Sequence, residues 1–182
     1  MPRKSITGAH RKRAPQRESD DSGKLRLLFV EDGDEELEKL RKVLKGSFSF
    51  CHVSTGRSAS LHIIRDPEID LVFITMEFES IPEEELLGTE EIIFEKFGND
   101  DDKAIRFLRG NQGAFILHHL RKKVKEPLPV LFSHDFSSEL SRWDTLTSRY
   151  DNVYYCKREM GPIDIGDFMQ TIIQKYRQGK SA

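Results

Sequence analysis

Residues with charged or hydroxyl side chains stand at the ends of short apolar runs in this chain. Glu31 and Asp32 follow one run, Thr75 ends a second, Ser133 a third and Lys157 a fourth. A carboxylate pair offers the oxygen ligands that Mg²⁺ prefers, and a hydroxyl becomes a nucleophile when a neighbouring base takes its proton. If the runs are parallel strands, these side chains meet at one edge of a sheet, where open α/β sheets bind their ligands.

The apolar runs alternate with segments of helical periodicity. The run at 69–75 is apolar without polar alternation, as in a central parallel strand that is covered on both faces. Strands are predicted at Leu25–Val30, Phe48–Val53, 69–75, 129–133 and 152–157, with helices between them and a closing helix at 163–176. Five strands alternating with helices predict an open, parallel α/β sheet with right-handed crossovers.

Apolar residues at helical spacing predict which helix faces are buried. Asp34 is the candidate N-cap of the first helix and Gly46 its candidate stop. The residues expected to face the core are Leu37, Leu40, Val43 and Leu44 in the first helix, Leu61 and Ile64 in the second, and Ile165, Phe168, Met169, Ile172, Ile173 and Tyr176 in the last.

The connection between the third and fourth strands is too long for one loop and one helix. We predict two or three helices there, including an insertion at about 77–110. Its apolar residues must be buried, either as an added packing layer or against a partner, and both alternatives stay open. The folded domain is predicted at 24–180. The residues before it, 1–23, lack apolar periodicity and are predicted to form a disordered tail with a basic first part.

Composition excludes several classes of protein. The 182 residues carry a net charge of −2 with both signs well represented, so nucleic-acid binding is expected only through the basic tail. Cys51 and Cys156 are the only cysteines, and no long apolar run follows a basic start. A disulfide framework, secretion and membrane insertion therefore lack support, and we expect a cytoplasmic protein.

Histidine and aspartate clusters elsewhere do not match metal-site spacings. His118 and His119 are adjacent, without the separations that make a zinc site convincing. The run of aspartates at 100–102 lacks the alternating ligands and terminal glutamate of a calcium loop, so a solvated turn or a helix cap is predicted.

The ordered set of strand ends resembles the receiver domain of bacterial response regulators. "LLFVEDGDEEL" is similar to the family's first strand and acidic turn, "DLVFIT" to the strand that carries the phosphoryl acceptor, and "LPVLFS" and "VYYCKRE" to the last two strands. The resemblance covers the chain from about Leu25 to Tyr176, apart from the insertion. It implies a flavodoxin-like, three-layer sandwich with a five-stranded parallel sheet and helices on both faces.

The resemblance assigns a role to each strand end. Glu31 and Asp32 take the positions of the magnesium-binding acids, and Ser133 takes the position of the switch hydroxyl. Lys157 takes the lysine position, and Tyr154, three residues before it, the aromatic switch position. The neighbouring Tyr155 alternates with Tyr154 across the strand, so one of the two is expected in the core and the other on the face that the family uses for association.

Thr75 stands where the family has its phosphoryl-accepting aspartate. A threonine hydroxyl needs a base to become a nucleophile, and the motif supplies none. The loss also leaves two acids where a receiver has three, so weak Mg²⁺ affinity is expected at Glu31 and Asp32, with Glu77 as a third ligand. The sequence thus predicts a pseudo-receiver that keeps the fold and has lost the phosphoryl chemistry.

Structural roles are alternatives for the same residues. Glu31 and Asp32 precede a helix and stabilise its positive end without any metal. Lys157 is a candidate ion-pair partner of Asp32 in the position of the lost phosphate, and Ser133 is a candidate partner for a buried backbone group.

Three readings of function remain from the sequence. The first is a non-enzymatic signalling module that acts through protein contacts with an unidentified partner or as a homodimer. The second is a DNA-associated regulator that uses the tail, with dimerisation raising the affinity of each tail. The third is an atypical receiver that still binds metal or phosphate and uses another acceptor such as Glu77.

Overall fold

The structure is a computed structural model that describes residues 23–89, 96–98 and 100–180. Apart from Gly23, the predicted tail lies outside the described residues. So does part of the predicted insertion, at 90–95 and 99.

A five-stranded parallel sheet forms the middle layer. The strands are β1 (Leu25–Val30), β2 (Phe48–Val53), β3 (Leu71–Ile74), β4 (Val130–Phe132) and β5 (Val153–Tyr155). They lie in the order β2-β1-β3-β4-β5, and each hydrogen-bonded pair is parallel. The order reverses between β1 and β3, so the carboxyl ends of these two strands flank a crevice. The predicted parallel α/β sheet is confirmed.

Helices cover both faces of this sheet. They are α1 (Glu35–Leu44), α2 (Gly56–Arg65), α3 (Asp101–Gly110), α4 (Gln112–Lys123), α5 (Leu140–Thr147) and α6 (Pro162–Lys180), with single 3₁₀ turns at Glu83–Glu85 and Phe136–Ser138. Asp100 caps α3 by accepting a hydrogen bond from the Lys103 N–H, which confirms the predicted cap. In the described parts of the chain, no helix combines the length and the apolar character needed to cross a membrane.

Two apolar clusters separate the layers. On one face, α1 and α6 pack on β1, β3 and β4, and Phe29 stacks on Phe73 with ring centroids 4.6 Å apart. On the other face, residues of α2 to α5 pack on the same strands. Alternate residues of β1, β3 and β4 enter opposite clusters, as Leu28 and Phe29 do, which explains why β3 and β4 contain no polar residue.

The predicted inward faces of two helices need correction. In α1, Leu37 and Leu40 are buried as expected, but Val43 is 49% exposed. In α2, Leu61 and Ile64 were expected in the core and are 51% and 61% exposed. The inward face of α2 is instead made of small residues with one isoleucine, namely Gly56, Ala59, Ser60 and Ile63. A Cβ added at Gly56 would lie 2.8 Å from Ile116 of α4, so close packing of the two helices selects the small-residue face.

Candidate functional site

Six carboxylates line one pocket at the carboxyl ends of β1 and β3. The pocket has a volume of about 320 Å³. Its acidic residues are Glu31, Asp32, Glu35, Glu36, Glu77 and Glu79, and its other lining residues are Gly33, Thr75 and Ser80. We call it the acidic pocket. No basic residue is among the described residues that line it, so its field favours cations and repels phosphate.

Glu31 is buried at the base of this pocket, with 4% of its surface exposed. Its Oε1 accepts a hydrogen bond of 3.1 Å from the Leu37 N–H, in the first turn of α1. Burial raises the pKa of Glu31, although hydrogen bonds from the backbone N–H groups of Leu37 and Glu36 partly oppose the rise. Asp34 occupies the N-cap position, but its side chain makes no capping hydrogen bond. The helix-capping role predicted for Asp34 therefore belongs to Glu31.

Asp32 connects the two sides of the crevice. Its Oδ2 accepts a hydrogen bond of 2.6 Å from the Ser80 N–H, in the segment that leaves β3. A carboxylate held in this way stabilises the start of the insertion, because a charge-assisted bond fixes the backbone of Ser80 over the pocket.

Thr75 lies directly after β3, and its side chain lines the acidic pocket. Its backbone N–H donates to the Val30 carbonyl over 3.2 Å, and its Oγ1 donates to the same carbonyl over a long 3.5 Å. A peptide carbonyl does not take up a proton at neutral pH, so this partner does not activate the hydroxyl as a nucleophile.

Glu77 is exposed and lines the same pocket as Glu31 and Asp32. The three predicted metal ligands are thus neighbours. Among the described residues, however, no group of three acidic, histidine or cysteine side chains has the geometry to hold a metal ion.

Ser133 follows β4, and its backbone N–H donates to the Ile74 carbonyl over 3.1 Å. Its side chain is half-buried and is not among the described residues of the acidic pocket. The loop that follows Ser133 is held by hydrogen bonds to Asp135. Asp135 accepts hydrogen bonds from the Ser137 N–H and from the Arg158 N–H, which joins the loops after β4 and β5.

Lys157 lies apart from the acidic residues. Its side chain is exposed and lines a second, mainly apolar pocket of about 420 Å³ with Tyr154, Tyr155, Met160 and Phe168, which we call the aromatic pocket. The predicted ion pair between Lys157 and Asp32 is not formed within the described residues, where Asp32 accepts a hydrogen bond from the Ser80 N–H. The carboxylates and the lysine therefore belong to separate sites.

The two tyrosines of β5 point to opposite faces of the sheet, and both are half-buried. Tyr155 packs on Trp143 with ring centroids 4.7 Å apart, and Tyr154 packs edge-on against Phe168 of α6 at 6.2 Å. Burial raises the pKa of Tyr154. Its phenol is therefore uncharged at neutral pH and suited to an apolar contact.

Two residues at the start of α4 hold neighbouring segments in place, and sequence reasoning did not assign them a role. A Cβ added at Gly113 would lie 2.4 Å from the Thr75 carbonyl oxygen, so α4 approaches the end of β3 closely. Gln112 is fully buried; its Oε1 accepts from the Leu87 N–H over 2.9 Å and its Nε2 donates to the Leu87 carbonyl over 3.3 Å. Gln112 thereby holds the insertion against the domain.

Known structures share this fold at low sequence identity. A response regulator receiver domain from Clostridium thermocellum is 12% identical, with a TM-score of 0.56 over 85% of this chain and 98% of that chain. A two-component response regulator from Clostridium difficile is 12% identical, with a TM-score of 0.54 over 84% and 98%. An adenylate cyclase from Rhodopirellula baltica is 14% identical, with a TM-score of 0.60 over 87% and 93%.

These likenesses establish a receiver-like, flavodoxin-type α/β fold. The sequence itself matches no protein-family model and no curated protein.

Proposed function

We propose that this protein is a non-enzymatic signalling module of the two-component receiver type that works without phosphorylation and acts through protein contacts. The observation that carries the proposal is the Thr75 hydroxyl, which lies directly after β3 and donates to the Val30 carbonyl. A receiver of this fold needs an ionised nucleophile at that point, and the carbonyl partner provides no base to generate one.

Electrostatics support the loss of phosphoryl transfer. The acidic pocket holds six carboxylates, whereas Lys157, the residue that would pair with a phosphoryl group, lines the aromatic pocket. A phosphoryl donor approaching Thr75 meets six carboxylates and no positive side chain among the described lining residues. The negative charges of these side chains oppose both binding of the phosphoryl donor and the build-up of negative charge in the transition state.

The expected chemical result is an unmodified protein after incubation with acetyl phosphate and Mg²⁺, measured by intact mass. A receiver that acetyl phosphate is known to phosphorylate serves as the positive control. The variant Thr75→Val removes the hydroxyl and keeps the shape, so any phosphate that wild type gains and Thr75→Val does not would assign acceptor chemistry to Thr75 and reject the proposal.

The contact surface that we propose surrounds the aromatic pocket. Its ring edges and the Met160 side chain are mainly apolar, and Ile163 at the start of α6 is 65% exposed. A second copy of the chain is the simplest partner for such a surface, because a two-fold contact pairs the same patch with itself.

Sedimentation equilibrium of Ile163→Lys tests this surface against a matched control, Ile64→Lys. Ile64 is 61% exposed but lies on α2, which packs on the opposite face of the sheet. We expect concentration-dependent association of wild type, a loss of association in Ile163→Lys and no change in Ile64→Lys. Equal effects of the two variants, or a monomer at all concentrations, would contradict the homodimer.

A further inference from the structure

A third cavity, of about 420 Å³, lies between α2, α4 and the segment that follows the 3₁₀ turn at Glu83–Glu85. We call it the basic pocket. Its charged and aromatic lining residues are Arg57, Phe115, His118, His119, Lys122 and Lys123. The protein as a whole has a net charge of −2, so this concentration of positive charge is local.

Within residues 23–89, 96–98 and 100–180, the three permanent cations of the basic pocket have no hydrogen-bonding or ion-pairing partner. Arg57, Lys122 and Lys123 are exposed, and in the described part of the chain none of them makes a hydrogen bond or an ion pair. No carboxylate is among the described residues that line the cavity. Three cations that no described residue pairs leave a positive potential around the cavity, which an anion would neutralise.

His119 lies in the same positive field. His119 donates to or accepts from the Ser60 hydroxyl over 3.2 Å, and its pKa is lowered by burial and then by Lys123, Arg57, His118 and Lys122. An anion bound among these groups would offset the positive charges and raise the pKa of His119.

The walls of the cavity are fixed by packing and hydrogen bonds. The Gln112 side chain makes two hydrogen bonds to the Leu87 backbone, at 2.9 Å to the N–H and 3.3 Å to the carbonyl. Gly88 has a φ of +88°, and a Cβ there would lie 2.6 Å from the Phe115 ring, so only glycine lets the chain pass so near that ring. His118 Nδ1 lies 2.5 Å from the Tyr150 hydroxyl. These contacts hold the backbone at Leu87 and Gly88 and the His118 ring in place around the cavity.

We infer that the basic pocket binds a small organic phosphate of about mononucleotide size. Its volume lies in the range of roughly 300–1,000 Å³ that is usual for small-molecule sites. Arg57, Lys122 and Lys123 pair with the phosphate, as arginine and lysine do in other phosphate sites. Leu87 and Phe115 supply an apolar wall for the organic part, and an aromatic ring favours a flat group.

Calorimetry and amide NMR with AMP as the probe test this inference. Adenosine and inorganic phosphate, the two parts of AMP, are measured separately for comparison. We expect saturable binding of AMP at 150 mM salt, at least tenfold tighter than either part, with shifts at Gly88, Phe115 and His119 and a rise in the pKa of His119 on binding. The variant Arg57→Gln, Lys122→Gln, Lys123→Gln should weaken AMP binding at least tenfold, with an unchanged circular dichroism spectrum.

The matched control is Lys42→Gln, Lys45→Gln, Lys175→Gln, which removes three exposed cations from α1, its C-cap and α6. It should bind AMP as wild type does. Equal weakening of AMP binding in both variants would mean that AMP binds through general charge attraction, and this result would overturn the inference. The absence of a saturable response to AMP would also overturn it. Tighter binding of single-stranded DNA than of AMP at the same residues would also overturn it. None of these outcomes bears on phosphoryl transfer at Thr75.

Discussion

Asp32 and Ser80 lie 48 positions apart in sequence and are joined by a hydrogen bond of 2.6 Å between the carboxylate Oδ2 and the backbone N–H. The bond joins two lining residues of the acidic pocket, one that follows β1 and one in the segment that follows β3. Asp32 therefore has a structural role as a hydrogen-bond acceptor. Substitution by asparagine can separate this role from the negative charge, because an amide oxygen also accepts a hydrogen bond.

Substitution of Asp32 separates the bond from the charge. Asp32→Ala removes the acceptor and should lower the free energy of unfolding by about 1 kcal/mol. Asp32→Asn keeps an oxygen acceptor and removes one of six crowded negative charges, so it should be at least as stable as wild type. Urea denaturation measures both variants; equal destabilisation would show that the charge of Asp32 matters more than its bond to Ser80.

Glu31→Gln should stabilise the protein at neutral pH. Burial raises the pKa of Glu31 above its ordinary value, so the folded state holds the proton more tightly than the unfolded state. Stability that depends on Glu31 is therefore greatest below the ordinary pKa of 4.5 and falls as the pH rises through the raised pKa. Glutamine keeps an oxygen acceptor for the Leu37 N–H and carries no charge.

Thermal unfolding of wild type and Glu31→Gln at several pH values checks this sign. The Tm difference in favour of Glu31→Gln should be small near pH 4 and grow toward pH 7. A difference that shrinks over this range would mean that the ionised carboxylate stabilises the fold, against the pKa shift.

Gly113→Ala should destabilise the end of β3. The added Cβ would lie 2.4 Å from the Thr75 carbonyl oxygen and 3.0 Å from the Met76 Cα, and both are backbone atoms that move only with the strand. Overpacking of this kind costs about 1–3 kcal/mol. The control is Gly179→Ala in α6, where a Cβ meets nothing within 4 Å. It should leave the urea midpoint unchanged or raise it, because alanine favours helices.

The two cysteines should differ in their reactivity with thiol reagents. Cys156 is 4% exposed, and burial, with a contribution from Glu36, raises the pKa of its thiol to about 12. Its thiolate is therefore scarce at pH 8. Cys51 is half-buried in β2. One thiol should be titrated in the native protein and two in denaturant, and native Cys51→Ser should show none. Rapid labelling of native Cys51→Ser would contradict the burial of Cys156.

The first three strands were predictable from the sequence because β1 and β2 are short runs of strand length and β3 is apolar without polar alternation. β1 and β2 have the predicted bounds, Leu25–Val30 and Phe48–Val53. Directly after β3, the Thr75 N–H donates one more hydrogen bond to the Val30 carbonyl of β1. The helix faces were less predictable. In α2 the large residues Leu61 and Ile64 are exposed, and small residues that allow α4 to pack closely face the core.

Much of the acidic pocket depends on contacts that residue types do not encode. Glu31 and Asp32 were singled out by their position after β1, but their partners, Leu37 and Ser80, are backbone groups. The separation of Lys157 from the acids follows from how the loop after β5 folds, with the Arg158 N–H bonded to Asp135. The basic pocket brings together residues of α2 and α4 that are some sixty positions apart in sequence, so no local sequence pattern predicts this pocket.

The most direct test of the pseudo-receiver proposal is an amide NMR titration with Mg²⁺, followed by beryllofluoride, a mimic of the phosphoryl group. We expect weak, non-saturating shifts with Mg²⁺ and no further change at Asp32, Thr75, Glu77 or Lys157 when beryllofluoride is added. A saturable response to beryllofluoride at those residues would mean that the pocket still binds a phosphoryl group, and it would contradict the account.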